Sequence, residues 1–149
     1  LEQQRLKFSE FWKEWLEKYP LDDQSQPVKP PTKGTNQFFD LPKESKGRFA
    51  AVVAEQGGQA GVYIWFRREP VSDRIYAALL ADQAAINEAI GQPVQWKSTD
   101  KWQSVQIWRE FGNQMLTQRR TEVQVWLGDL VNRFVNTFRP RIEAVLRDQ

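Results

Sequence analysis

Both ends of the chain repeat apolar residues at intervals of three and four, whereas the middle alternates them at intervals of two. At the start, Phe8, Phe11, Trp12, Trp15, Leu16 and Tyr19 are separated by Glu10, Lys13, Glu14, Glu17 and Lys18. An apolar stripe backed by a charged face is an amphipathic helix, expected over residues 1–19. Pro20 disfavours helical backbone at Tyr19 and closes it. At the far end, Val123, Trp126, Leu127, Leu130, Val131, Phe134, Val135 and Phe138 keep helical spacing, and Ile142, Val145 and Leu146 resume it beyond Pro140. The pattern predicts a long C-terminal helix, kinked or broken near the proline.

Residues 20–47 hold five of the eight prolines and read as a mobile or extended connector, with an edge strand over 36–41. Arg48–Glu55 and Ala60–Arg67 are β-rich runs joined by Gln56-Gly57-Gly58-Gln59, a hairpin signal. In the second run Val62, Ile64 and Phe66 share one face and Tyr63 and Trp65 the other, so a central strand covered in part on both sides is expected. Ser72-Asp73 are positioned to cap a helix from about Arg74 to Ile90, striped by Ile75, Leu79, Ile86 and Ile90 and stopped by Gly91. Strands follow through Val94 and Trp96 after Pro93, and over Gln103–Arg109. The order is α+β: a helix, antiparallel strands, a helix, two strands, and a long helix packed on a mostly antiparallel sheet. One domain over 1–149 accommodates it, with the α+β core at 48–149.

Composition narrows the chemistry. The 149 residues contain no Cys and no His, which excludes disulfides, thiolate nucleophiles, Ser-His-Asp triads and imidazole metal ligands. No cofactor and no enzymatic activity are expected. There is no apolar run of the length that spans a bilayer, so no membrane partner is expected, and the absence of Cys suits the cytoplasm. The first residue is Leu, which fits a domain cut from a longer chain.

The remaining carboxylate motifs are weak. Asp40 with Glu44-Ser45-Lys46 has the letters of an Asp…Glu-x-Lys nuclease core, but the spacing is too short for two paired strands. Asp22-Asp23 reads as a solvated turn after Pro20. Ser9-Lys13 and Ser98-Lys101 lack an oxyanion-hole signature and read as surface residues.

Charge is more informative by region than in total. The net charge is only +2, yet residues 97–149 hold nine basic and six acidic groups, and the other regions balance or nearly so. Lys97, Lys101, Arg109, Arg119, Arg120 and Arg133, with Trp102, are candidate nucleic-acid contacts, because Arg suits phosphate and Trp stacks on bases. The competing reading is a solvated helix face interleaved with Glu122, Asp129 and Glu143. If Thr117 caps the last helix, Arg119 and Arg120 oppose its dipole; if Thr121 does, they do not. Trp65, Trp96 and Trp126 fall on apolar stripes and read as core, while Trp102 stands in a polar link that packing does not explain.

Residues 62–98, with Phe11-Trp12 upstream and Trp126 and 138–146 downstream, resemble the bacterial domain of unknown function numbered 4268. The resemblance rests on the strand Val62 to Phe66, the helix through Ile86-Asn87-Glu88, Gly91, and Val94-Gln95-Trp96. Ser72-Asp73-Arg74 departs from the Asn-Lys that often starts the family's middle helix. The resemblance implies an accessory domain of a nuclease or phage-defence protein, with a nuclease domain in the parent chain and DNA as a partner. A protein-interaction module that forms a homodimer is the alternative.

Overall fold

Five α-helices and a five-stranded sheet make up the computed structural model, which describes residues 1–148. Helix α1 (Glu2–Lys18) buries Phe11, Trp12 and Trp15 and ends at Tyr19, ahead of Pro20. Strands β1 (Asn36–Phe39), β2 (Gly47–Ala54), β3 (Gln59–Arg67), β4 (Gln95–Ser98) and β5 (Trp102–Glu110) are antiparallel throughout, in the order β1-β2-β3-β5-β4. The expected α+β architecture is therefore present, with β3 at the centre and β1 at an edge.

The β2–β3 turn needs glycine at Gly58 for two reasons. Its φ is +67°, and a Cβ there would stand 2.5 Å from the carbonyl carbon of Gly112. That close approach lets the Gly58 carbonyl accept from the Phe111 and Gly112 amides at 2.7 and 3.1 Å, tying the hairpin to the end of β5.

The middle helix differs from expectation. It starts earlier, as α2 (Pro70–Ala81), and α3 (Gln83–Ile90) follows as a separate helix. Pro70 occupies the first helical position, where its missing N–H costs nothing. Ser72 is thus the third helical residue and not the N-cap, which is Glu69; its hydroxyl accepts from the Glu69 amide at 3.2 Å and completes a capping box. At the junction the Asp82 amide turns back to the Leu79 carbonyl at 3.0 Å, a tighter i→i−3 bond that ends α2.

After the short helix α4 (Met115–Gln118) comes α5 (Arg120–Arg147), whose buried face follows the expected spacing. The expected break at Pro140 is absent: α5 continues through the proline, which lies on the exposed side. Arg141 donates to the Thr137 carbonyl at 2.8 Å within the turn that proline perturbs. Arg119 occupies the cap position of α5, so neither Thr117 nor Thr121 caps it.

Of the two expected forms, mobile or extended, the proline-rich connector takes the extended one and is tied down by side-chain hydrogen bonds. Buried Gln37 accepts from the Thr32 amide at 2.9 Å and donates to the Pro30 carbonyl at 3.1 Å. Buried Gln26 donates to the Asp40 carbonyl at 2.8 Å, Val28 bridges to Phe39, and Asp22 accepts from Asn132 of α5 at 2.9 Å. Prolines lower the entropy cost of such an extended path, and amide side chains supply the backbone partners that a missing strand does not.

The main hydrophobic cluster lies on one side of the sheet, with Ala50 and Val52 buried on the other. Trp15 meets Phe39 edge to face at 6.0 Å, Phe39 lies 5.2 Å from Phe49, and Phe49 stacks on Phe134 of α5 at 6.1 Å. Ala51, Val53, Ala60, Val62, Ile64, Phe66, Val105 and Ile107 complete the sheet's contribution to the same cluster.

Candidate nucleic-acid interface

The strand register also defines the opposite face. Side chains alternate across a strand, so pairing the residues between the core positions places them level by level on that face. At one end Arg67 pairs with Trp102; next come Arg48, Trp65, Ser104 and Lys97 in a row across four strands. The third row holds Phe38, Ala50, Tyr63, Gln106 and Gln95, and the fourth Asn36, Val52, Gly61 and Trp108. Gln59 and Glu110 close the far end.

None of Phe38, Tyr63, Trp65, Trp102 and Trp108 belongs to the core cluster or packs against it, and each is partly exposed. The core reading holds for Trp96 and Trp126, which pack on the cluster, and fails for Trp65. Trp96 meets Tyr76 of α2 at 5.9 Å on the helix side, where the Tyr76 hydroxyl donates to the Ser104 carbonyl and burial raises its pKa.

These outer rings are fixed by local contacts. The Trp108 indole lies over Gly61, where a Cβ would come within 2.5 Å of Trp108 Cδ2 and 2.7 Å of the Ile107 carbonyl oxygen. Only glycine leaves room for an indole flat on the strand. Trp108 Nε1 donates to Gln106 Oε1 at 2.8 Å, and Gln106 Nε2 donates to Ser104 Oγ at 2.7 Å. These polar groups along β5 thus bond to one another. The Arg48 guanidinium lies 5.4 Å from the Trp65 ring, and Asn36 donates to the Tyr63 hydroxyl at 3.3 Å.

The seven sequence-predicted contacts divide into two groups. Lys97 and Trp102 belong to the outer face, and Lys101 is exposed in the β4–β5 turn beside them. Thr99 builds that turn, its hydroxyl accepting from the Lys101 and Trp102 amides at 3.1 and 3.0 Å, while Arg68 donates to the Thr99 carbonyl at 2.8 Å. Arg109, Arg119, Arg120 and Arg133 lie elsewhere and are paired. Arg119 grips Glu122 at 2.9 and 2.6 Å, Arg109 reaches the same carboxylate at 3.2 Å, and both guanidinia face the Phe111 ring, at 5.0 and 4.5 Å. Arg120 pairs with Glu14 of α1 at 3.1 Å, and Arg133 with Asp129 at 2.9 Å.

The hydrogen bond from Arg119, more than its charge, holds the Glu122 carboxyl below the usual carboxylate range. Hydrogen bonds from Arg120 and then Gln124 do the same for Glu14. Glu122 sits in the first turn of α5, where a carboxylate offsets the adverse placement of two arginines.

Sequence spacing missed Arg48, Arg67, Phe38 and Tyr63 as companions of Trp102 on this face because they join it only through strand pairing. The alternation of Tyr63, Trp65 and Arg67 on one side of β3 was the available signal.

The carboxylate motifs disperse. The Asp40 side chain pairs with Lys29 at 3.0 Å and Lys46 with Glu69 at 3.5 Å. Asp22 accepts from Asn132 and Asn136, and Asp23 accepts from the Ser25 amide and hydroxyl, which lower its pKa. Among the described residues no group of three or more acidic side chains is arranged to hold a metal.

The model of a Domain of unknown function (DUF4268) matches residues 9–142, nearly the whole chain. The chain belongs to the DUF4268 family. The DUF4268-like residues Asn87 and Trp96 meet directly: Trp96 Nε1 donates to Asn87 Oδ1 at 3.1 Å, locking α3 to β4. Trp126 likewise donates to Gln92 at 3.2 Å, so these positions serve the fold. No curated protein and no solved structure matches the chain. Among the described residues no helix is long and apolar enough to cross a membrane.

Proposed function

We propose that this domain is a non-catalytic accessory module of a cytoplasmic nuclease or phage-defence protein, and that it binds nucleic acid on the outer face of its sheet. The observation that carries the reading is the exclusion of five aromatic side chains from the core, on a face that also bears Arg48, Arg67 and Lys97. Aromatic rings left at a surface beside cations supply both terms of nucleic-acid affinity, stacking and phosphate neutralisation. Glu110 is the one acidic group in the face's register. The basic residues near the start of α5 contribute less, because Glu122 and Glu14 already occupy them.

The test is binding of labelled DNA oligonucleotides to the isolated chain across a salt series. Affinity that falls with salt, and falls further in an Arg48→Ala/Lys97→Ala variant that melts like wild type, supports the reading. No binding at low salt, or binding untouched by these substitutions, refutes it.

A further inference from the structure

The spacing of the outer rings points to the form of nucleic acid. Along β5 the rows repeat every two residues, about 7 Å. On the two central strands β3 and β5, Trp102, Trp65, Tyr63 and Trp108 occupy four successive rows, and Phe38 of the edge strand β1 joins the row of Tyr63. Bases stacked in a duplex repeat every 3.4 Å or so, about half that interval. A ladder with the doubled spacing cannot follow an intact stack; it suits bases drawn apart so that a protein ring accompanies each. A duplex also turns its phosphates outward and hides the base faces that aromatic rings bind, whereas an unpaired strand offers them.

Charge gives the strand a place. Arg67, Arg48 and Lys97 lie in the first two rows, with Lys101 in the adjoining turn, and Glu110 lies beyond the fourth. None of these four cations has an ion-pair partner among the described residues. The phosphate contacts therefore concentrate at the Trp102–Trp65 end of the bound strand. Gln106 and Ser104, the polar groups between the rings, are bonded to each other and to Trp108, which leaves them few free hydrogen-bonding sites for base edges or a ribose hydroxyl.

We infer that the outer face binds single-stranded nucleic acid, with no strong preference for sequence or sugar, through about four nucleotides stacked on Trp102, Trp65, Tyr63 and Trp108. This rests on the nucleic-acid reading above and specifies its ligand.

The test is fluorescence anisotropy of the chain with oligodeoxythymidine, oligouridine and a DNA duplex of equal length, in wild type and in Trp65→Ala, Trp108→Ala and Trp65→Phe. The two single strands are expected to bind within a few-fold of each other and at least about 10-fold more tightly than the duplex. Each Trp→Ala change is expected to weaken single-strand binding by about 5-fold or more, and Trp65→Phe by much less. Four cations give a slope near −3 for log affinity against log salt.

A duplex bound as tightly as the single strand, or Trp→Ala variants that bind normally, would overturn the single-strand inference while leaving the broader function standing. No binding of any of the three probes would remove both. A salt-insensitive dimer dissociated by Trp65→Ala and Trp108→Ala would reassign the face to a second copy of the chain.

Discussion

Gly61→Ala is the sharpest probe of the outer face, because it adds one methyl group beneath Trp108. The new Cβ would lie within 2.5 Å of Trp108 Cδ2 and 2.7 Å from the Ile107 carbonyl oxygen, both far inside contact distance. Overpacking of this kind costs about 1–3 kcal/mol, and replacing a strand glycine by alanine returns roughly 0.5–1 kcal/mol through the unfolded chain. The net expectation is a loss of about 1–2 kcal/mol. At this size each kcal/mol moves the melting temperature by about 2–4 °C, so a fall of roughly 2–8 °C should appear in a circular-dichroism melt. The Trp108→Ala background isolates the cause. With the ring gone, Gly61→Ala loses its two nearest contacts and keeps the one with the Ile107 carbonyl, and the difference between the two backgrounds should be at least about 0.5 kcal/mol. Equal effects in both backgrounds, or a single variant that melts at or above wild type, would refute the placement of the indole over Gly61.

Three further perturbations test the helix layer and the connector. Gln37→Ala leaves the Thr32 amide and the Pro30 carbonyl without their partner; a loss of about 1–3 kcal/mol is expected, with faster proteolysis between residues 24 and 34. Pro140 lies inside a continuous helix and on its exposed side, so Pro140→Ala should stabilise by about 1–3 kcal/mol and raise the melting temperature. Glu14 and Glu122 have lowered pKa values, so their stabilisation is present above the ordinary glutamate value of about 4.3 and is lost as pH falls through the lower folded values. Melting temperature should therefore decline below about pH 4, and less steeply in Glu14→Gln/Glu122→Gln; identical acid profiles would disprove the role of the two pairs.

Periodicity made the core legible because it reports burial directly. The stripes through Phe11 and Trp15 and through Val123 to Phe138 are buried as spaced, and Gly91 ends α3 as expected. Pairing between distant segments was not legible. Arg120 looks like surplus charge until Glu14, at the other end of the chain, is placed beside it. Gln37 looks like a polar interruption until the connector folds back over it. Tyr63 and Trp65 presented the reverse problem: an apolar side chain on a strand has the same letter whether a helix covers it or not. The strand is central and covered in part on both sides as expected, but the cover over Tyr63 and Trp65 leaves both rings partly exposed, and neither packs against the core cluster, which gathers on the helix side.

The charged residues are sorted in a way that composition hides. On the helix side, Arg109, Arg119, Arg120, Arg133, Arg139 and Arg141 each have an acidic partner, and the Arg120–Glu14 and Arg141–Asp82 pairs tie α5 to other helices. On the sheet side Arg48, Arg67 and Lys97 are exposed and have none among the described residues. A cation that serves the fold should cost stability when removed, whereas an exposed cation with no partner should change it by no more than about 0.5 kcal/mol. Removing Arg120 and removing Lys97 are therefore opposite experiments on the same class of residue. The first should lower the melting temperature, and the second should leave it unchanged while weakening binding. That separation is what makes the outer face, rather than the arginine-rich helix, the surface on which a ligand can be sought.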